Sequence, residues 1–155
     1  MDFIMTRDHN NFDDNLEFAQ RGEEEVARLL QKKMKKLKLT GFNDDKEYDI
    51  VGSYGDKEVT FEVKEDVRVG DTGNVVVETK SRGKPSGLAT STATFWVFRL
   101  HLNGNIDHYL LKPEKMRNMI RRGIIPRRQL DNTDSCNLLH FFRVEQIIEL
   151  AEMKL

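Results

Sequence analysis

Residues 56–66, "DKEVTFEVKED", decide how the chain folds. Successive side chains of a strand point to opposite faces, so Val59, Phe61 and Val63 share one face and Thr60, Glu62 and Lys64 the other. The first face is apolar and needs a core to cover it. Its β-branched and aromatic side chains suit a pleated, packed surface, which makes this a central strand. The second face then carries a carboxylate and an ammonium one strand repeat apart.

The flanking segments extend that strand into a sheet. Upstream, residues 47–53 read as a strand, with "GSYGDK" as the hairpin turn into a strand over 57–65. An antiparallel hairpin sets the two side by side, so Asp49 in "EYDIVG" can approach Glu62 across the pair. Downstream, "RVGDTGN" reads as a loop and residues 74–80 as a third strand. "SRGKPSGLATST" is a Gly- and Ser-rich loop leading into a short helix. "TFWVFRLHL" and "NIDHYLLK" form a strand pair turning at Asn103-Gly104. Phe95 and Val97 on one face, with Trp96 and Phe98 on the other, make the former a buried central strand rather than a base-stacking surface. Pro113 opens a helix that stops at Gly123. After a loop rich in Asn and Asp, "NLLHFFRV" reads as strand and "EQIIELAEMK" as the closing helix.

Before the hairpin, Ala19, Val26, Leu29, Leu30, Met34 and Leu37 recur at three- and four-residue spacing. They predict a helix over residues 13–39 with Gly41 at its stop. Residues 1–12 show no period and read as a flexible arm, leaving 13–155 as one domain. The expected fold class is α/β, a single domain with a central mixed β-sheet flanked by helices.

The chain's 155 residues can bury a substantial core without staples. No apolar run approaches the roughly 18 residues that span a bilayer, so no membrane partner is expected. "MDFIMTRDHNNFDD" lacks a basic segment followed by an apolar one, and a cytoplasmic setting is expected. The one cysteine, Cys136, excludes an internal disulfide and a multi-cysteine zinc site. His9, His101, His108 and His140 show no ligand spacing, and His101 and His108 are expected as a surface pair across their hairpin. No Gly-rich phosphate loop, Ser-His-Asp signature or dinucleotide fingerprint is present.

Net charge is −1, so bulk charge argues for no partner, but its distribution is uneven. "QKKMKKLK" holds Lys32, Lys33, Lys35, Lys36 and Lys38, and "RRGIIPRR" holds Arg121, Arg122, Arg127 and Arg128. Such blocks can steer a polyanion to one surface, or can be plain solvated faces. Lys84 and Ser86 in "GKPSG" are open in the same way between phosphate contact and an ordinary loop.

The acidic residues converge more specifically. Glu23 in "RGEEEVARLL" continues the apolar stripe of the first helix, so it is expected to face the sheet near Asp49 and Glu62. Two carboxylates and a backbone carbonyl, such as that of Val63, form a hard oxygen site for Mg²⁺, with Mn²⁺ as a substitute. Lys64 beside it can orient a water or stabilise charge growing on phosphorus. Taken alone, Glu62 and Lys64 could equally be a solvent-facing ion pair, and Glu78, alternating with Lys80, a solvent-facing acid.

"YDIV" followed by "FEVK", after an N-terminal helix with an inward Glu, resembles the PD-(D/E)xK nuclease superfamily of restriction-endonuclease-like enzymes. Its signature is an Asp at the end of one strand and (D/E)-x-K on the next. Tyr48 stands where the naming proline would be. "GNVVVETKSRGKPSGLATSTATFWVF" looks like phage-type and resolvase-like members, and the resemblance covers about residues 20–100. It implies a Mg²⁺-dependent DNA endonuclease in which Asp49, Glu62 and the Val63 carbonyl bind metal and Lys64 is catalytic. Glu23 would be an accessory ligand and Glu78 a weaker one, with one site per chain, so that cutting both strands needs a homodimer or two visits. Two other classes stand beside it: a catalytically inactive nucleic-acid-binding module of the same fold, and a protein-interaction or inhibitor domain.

Overall fold

The computed structural model describes residues 14–43, 48–132 and 135–155, so the arm read over 1–12 lies outside them. The chain is mixed α/β. α1 (Asp14–Lys33) is followed by β1 (Leu37–Phe42), β2 (Ile50–Tyr54) and β3 (Lys57–Asp66). Then come α2 (Val69–Thr72), β4 (Asn74–Ser81), β5 (Lys84–Pro85), a 3-10 turn over Gly87–Ala89, β6 (Phe95–Leu102) and β7 (Asn105–Leu111). α3 (Pro113–Arg121), β8 (Arg127–Asn132), β9 (Ser135–Arg143), α4 (Val144–Leu150) and β10 (Met153–Lys154) complete it.

β1, β2 and β3 form an antiparallel meander, and β6 joins β3 in parallel, so the first sheet is mixed and runs β1-β2-β3-β6-β7-β10. β6 and β7 turn at Asn103 and Gly104, both with positive φ, as an Asn-Gly hairpin requires. Phe61 and Val97 face α1 and bury against its Val26, Ala27 and Leu30. The opposite face carries Trp96, Phe98 and Leu100, which pack under Val75 and Val77 of β4, Phe142 of β9, Met116 of α3 and Ile147 of α4. Both faces of β6 therefore lie against a core, as its two-sided apolar pattern predicts.

Three boundaries differ from the sequence reading. The first helix ends at Lys33 rather than at residue 39, because Leu37 and Leu39 alternate with lysines and bury as strand residues opposite Tyr54 and Gly52. Gly41 lies within β1 at a register shift and does not stop the helix. The last helix ends at Leu150, and Met153–Lys154 pairs with β7.

The larger difference is a second sheet, ordered β5-β4-β9-β8, which covers much of one face where only helices were expected. β4 does not join the first sheet, since β6 occupies the place beside β3. It pairs instead with β9, about 60 residues on, while β8 arises from the segment read as a loop. None of the helices among the described residues is long and apolar enough to cross a membrane.

Candidate functional site

Asp49 stands one residue before β2, where the hairpin pairs Ile50 with Phe61. Its backbone N–H donates to the Phe61 carbonyl at 2.8 Å, and its own carbonyl accepts from Asn43 at 2.9 Å. Its carboxylate Oδ2 accepts the Val63 N–H at 2.7 Å. N–H and C=O of one strand residue lie on the same edge, so the Val63 carbonyl is directed toward the Asp49 side of β3. Main chain and side chain together thus hold this carboxylate at the entry of the strand.

Glu62 alternates with Phe61, which turns it away from α1 and toward the face that carries Trp96. Its side chain is 16% exposed and lies 3.1 Å from the Lys64 ammonium. Burial, and next the charge of Asp49, push its carboxyl above the ordinary glutamate range, against a smaller downward pull from Lys64. Asp49 and Glu62 are therefore close enough to repel one another. Lys64, 41% exposed, reaches over the Trp96 ring at 5.1 Å from its centroid.

These contacts bring Asp49, Glu62, Lys64 and the Val63 carbonyl to one end of the β2–β3 pair. The donor set fits a hard divalent cation: two carboxylates, one raised by the other's charge, and a carbonyl on the same edge. Among the described residues, no three His, Cys, Asp or Glu side chains group as a metal site. Glu23 stands half-buried on α1, three residues before Val26, and that helix packs on the opposite face of the sheet. Glu78 is engaged elsewhere, accepting from the Ser86 hydroxyl at 2.9 Å.

The basic residues divide among several elements. Lys32 and Lys33 are exposed on the last turn of α1, and Lys36 lines an open groove of about 730 Å³ with Lys38, Ser53, Tyr54 and Lys57. Lys84 is exposed on β5, and Arg127 and Arg128 on β8. Arg121 pairs with Glu114 at 2.6 Å, and Arg122 lines a groove of about 290 Å³ between α3 and α4.

Sequence reasoning missed a second polar cluster, on the α1 face. Arg99, 6% exposed, donates through Nε to both oxygens of Glu65 at 2.9 Å and through Nη1 to Glu25 at 2.6 Å. Its Nη1 also meets His108 Nε2 at 2.8 Å, and His101 pairs with Glu65. His108 is buried and faces Arg99, not His101, which corrects the expected surface pair of histidines. Burial, then Arg99's charge, hold His108 below the ordinary imidazole range. A Cβ on Gly22 would come within 2.6 Å of Glu65, so that glycine lets α1 settle over the cluster. The signal available beforehand was an Arg in an otherwise apolar strand.

Comparison with protein-family models, with curated proteins and with solved structures finds no match.

Proposed function

We propose that the chain is a metal-dependent DNA endonuclease with a restriction-endonuclease-like core, hydrolysing phosphodiester bonds at the Asp49–Glu62–Lys64 cluster. The reading is carried by one observation: two carboxylates and an amine 3.1 Å from one of them meet at the end of a single strand pair, with the Asp49 carboxylate held on the Val63 N–H and its charge helping to raise the Glu62 carboxyl. Clustered acids without a cation are unfavourable, and a structural ion pair needs only one of them. Asp49, Glu62 and the Val63 carbonyl would hold Mg²⁺ or Mn²⁺, with Glu23 assisting through water. Bound there, the ion would supply Lewis-acid polarisation of a phosphoryl oxygen and ease deprotonation of a water.

Lys64 then has two tasks. Its N–H groups orient the attacking water in line with the bond to be broken, and its charge offsets that gathering on the phosphoryl oxygens. The water oxygen bonds to phosphorus and releases a proton to solvent, the ester P–O bond breaks, and the departing alkoxide takes a proton from solvent. Lys32, Lys33, Lys36, Lys84, Arg121, Arg122, Arg127 and Arg128, with the Ser86 hydroxyl, would contact the phosphate backbone. Binding should weaken steeply with salt, by about 0.9 in log–log slope for each duplex phosphate neutralised.

The test is incubation of wild type and Lys64→Ala with plasmid and branched DNA in Mg²⁺, Mn²⁺ or EDTA. Cutting should need the metal and fall by about 100-fold or more in the variant. Equal cutting by both proteins would refute the assignment. DNA binding that survives chelation with no cutting in either metal would mark an inactive nucleic-acid-binding module instead.

A further inference from the structure

A lysine used for catalysis must be held, because its four-carbon stem is flexible and its ammonium strongly hydrated. We infer that Trp96 is a positioning residue for Lys64, keeping its amine at the cluster when Glu62 turns to a cation. The inference rests on the nuclease reading in taking Lys64 as the amine of the site and Glu62 as a metal ligand.

Two contacts hold that amine: the Glu62 carboxylate at 3.1 Å and the indole face at 5.1 Å. They respond oppositely to a divalent ion. Glu62 is a proposed ligand, so its oxygens are drawn toward the metal, while the metal's charge repels the ammonium. The ring quadrupole has no such competitor, and its attraction for an ammonium strengthens as water leaves. The indole contact is therefore the one that persists in the loaded site.

The ring is also fixed from behind. Parallel pairing of β3 with β6 sets Trp96 beside Glu62 and Phe98 beside Lys64, so the indole shares a sheet face with both charged side chains and lies under the Lys64 amine. Trp96 is 2% exposed, and its Nε1–H donates to the Ser91 hydroxyl at 2.9 Å. The Ser91 carbonyl accepts from Arg117 Nη2 at 2.6 Å, and Arg117 Nε donates to the Leu88 carbonyl at 2.9 Å. A chain of hydrogen bonds thus runs from α3 through the loop after the 3-10 turn to the ring under the amine.

Trp96 is the single tryptophan of the chain, so its emission reports this contact directly. The experiment has two arms, each on the full chain. In the first, tryptophan emission is recorded at neutral pH in wild type and Lys64→Met, alone and through a titration with Mg²⁺. Wild type should differ from Lys64→Met in emission before Mg²⁺ is added, and should show a Mg²⁺ response that Lys64→Met lacks or halves. Identical curves in the two proteins would overturn the inference, whatever the enzyme activity.

In the second arm, metal-dependent cleavage is followed in Trp96→Phe, Trp96→Leu and Ser91→Ala. Losing the ring in Trp96→Leu should lower kcat about tenfold, the change that a contact of cation–π size converts to, with KM for DNA within about twofold. Trp96→Phe, which keeps a ring, should restore part of that loss. A folded Trp96→Leu with wild-type kcat would overturn the positioning role. If Trp96→Leu does not fold, Trp96→Phe and the emission arm decide. If wild type cuts nothing, the nuclease reading fails, and the first arm alone judges whether Trp96 holds Lys64.

Discussion

Glu62 carries a charge that its surroundings resist. Burial and Asp49 favour its protonated form in the fold, so its support for folding is complete below the ordinary carboxylate range. That support is lost as the pH rises through the elevated value, and at neutral pH the ionised side chain is a net cost. Glu62→Gln should accordingly melt at a higher temperature than wild type at pH 7, with the gap closing in acid below the ordinary glutamate range. Mg²⁺ should raise the wild-type melting temperature and leave that of Glu62→Gln nearly unchanged. A variant melting below wild type at pH 7, with no such pH dependence, would contradict this account. At this scale the sequence was informative: strand alternation put Glu62 and Lys64 on one face, and hairpin geometry put Asp49 beside them. It said little about Trp96, whose burial was evident but whose partner was not, because parallel register between distant strands leaves no local mark.

At the scale of elements, the loop after β4 is pinned by one glycine. Gly87 has φ +53, and a Cβ there would lie 2.4 Å from the Glu78 carbonyl oxygen, a backbone atom that cannot swing aside. The same approach lets Ser86 donate to Glu78 and sets the 3-10 turn that leads to Ser91. Gly87→Ala should cost about 1–3 kcal/mol through the positive φ and the clash, read as a lower urea midpoint with unchanged slope. An unaffected midpoint would mean that the turn is not held against β4. The helix–strand boundary shows why elements are harder to read than residues. Met34 and Leu37 prolong the three- and four-residue spacing of α1, while Leu37 and Leu39 also satisfy a two-residue period. Pairing with β2 decides between the two, and pairing is not local. β8 was invisible for a related reason, since "RRQLDN" has no apolar alternation and is a strand only because β9 lies beside it.

At the scale of the whole molecule, two cores on opposite faces of one sheet are joined through β6, and a polar cluster lies on each of those faces. On the α1 face, Arg99 ties β6 to Glu65 of β3, Glu25 of α1 and His108 of β7, so one guanidinium spans four elements. Breaking such a buried cluster from one side leaves carboxylates without their partner. Arg99→Met should therefore cost about 3 kcal/mol or more, measured by urea unfolding, and α1 should lose amide protection first. A loss under about 1 kcal/mol would show that the cluster adds little. An Arg in an otherwise apolar strand was the one hint of this arrangement in the order of residues, because a buried charge is defined by partners from remote segments. The second sheet escaped notice likewise: β4 and β9 each look like strands, but no pattern states that they belong to each other.

That division of β4 from β9 has a consequence during synthesis. Residues 67–94 leave the first sheet between two of its hydrogen-bonded neighbours and deliver β4 and β5, whose main partner ends only at Arg143. At about 5–20 residues per second, a ribosome needs roughly 3–12 s to make up that interval. Throughout it, Val75 and Val77 on the nascent chain have no β9 beside them. Slow decoding between codons 82 and 143 would prolong the time in which that ribbon can find the wrong neighbour.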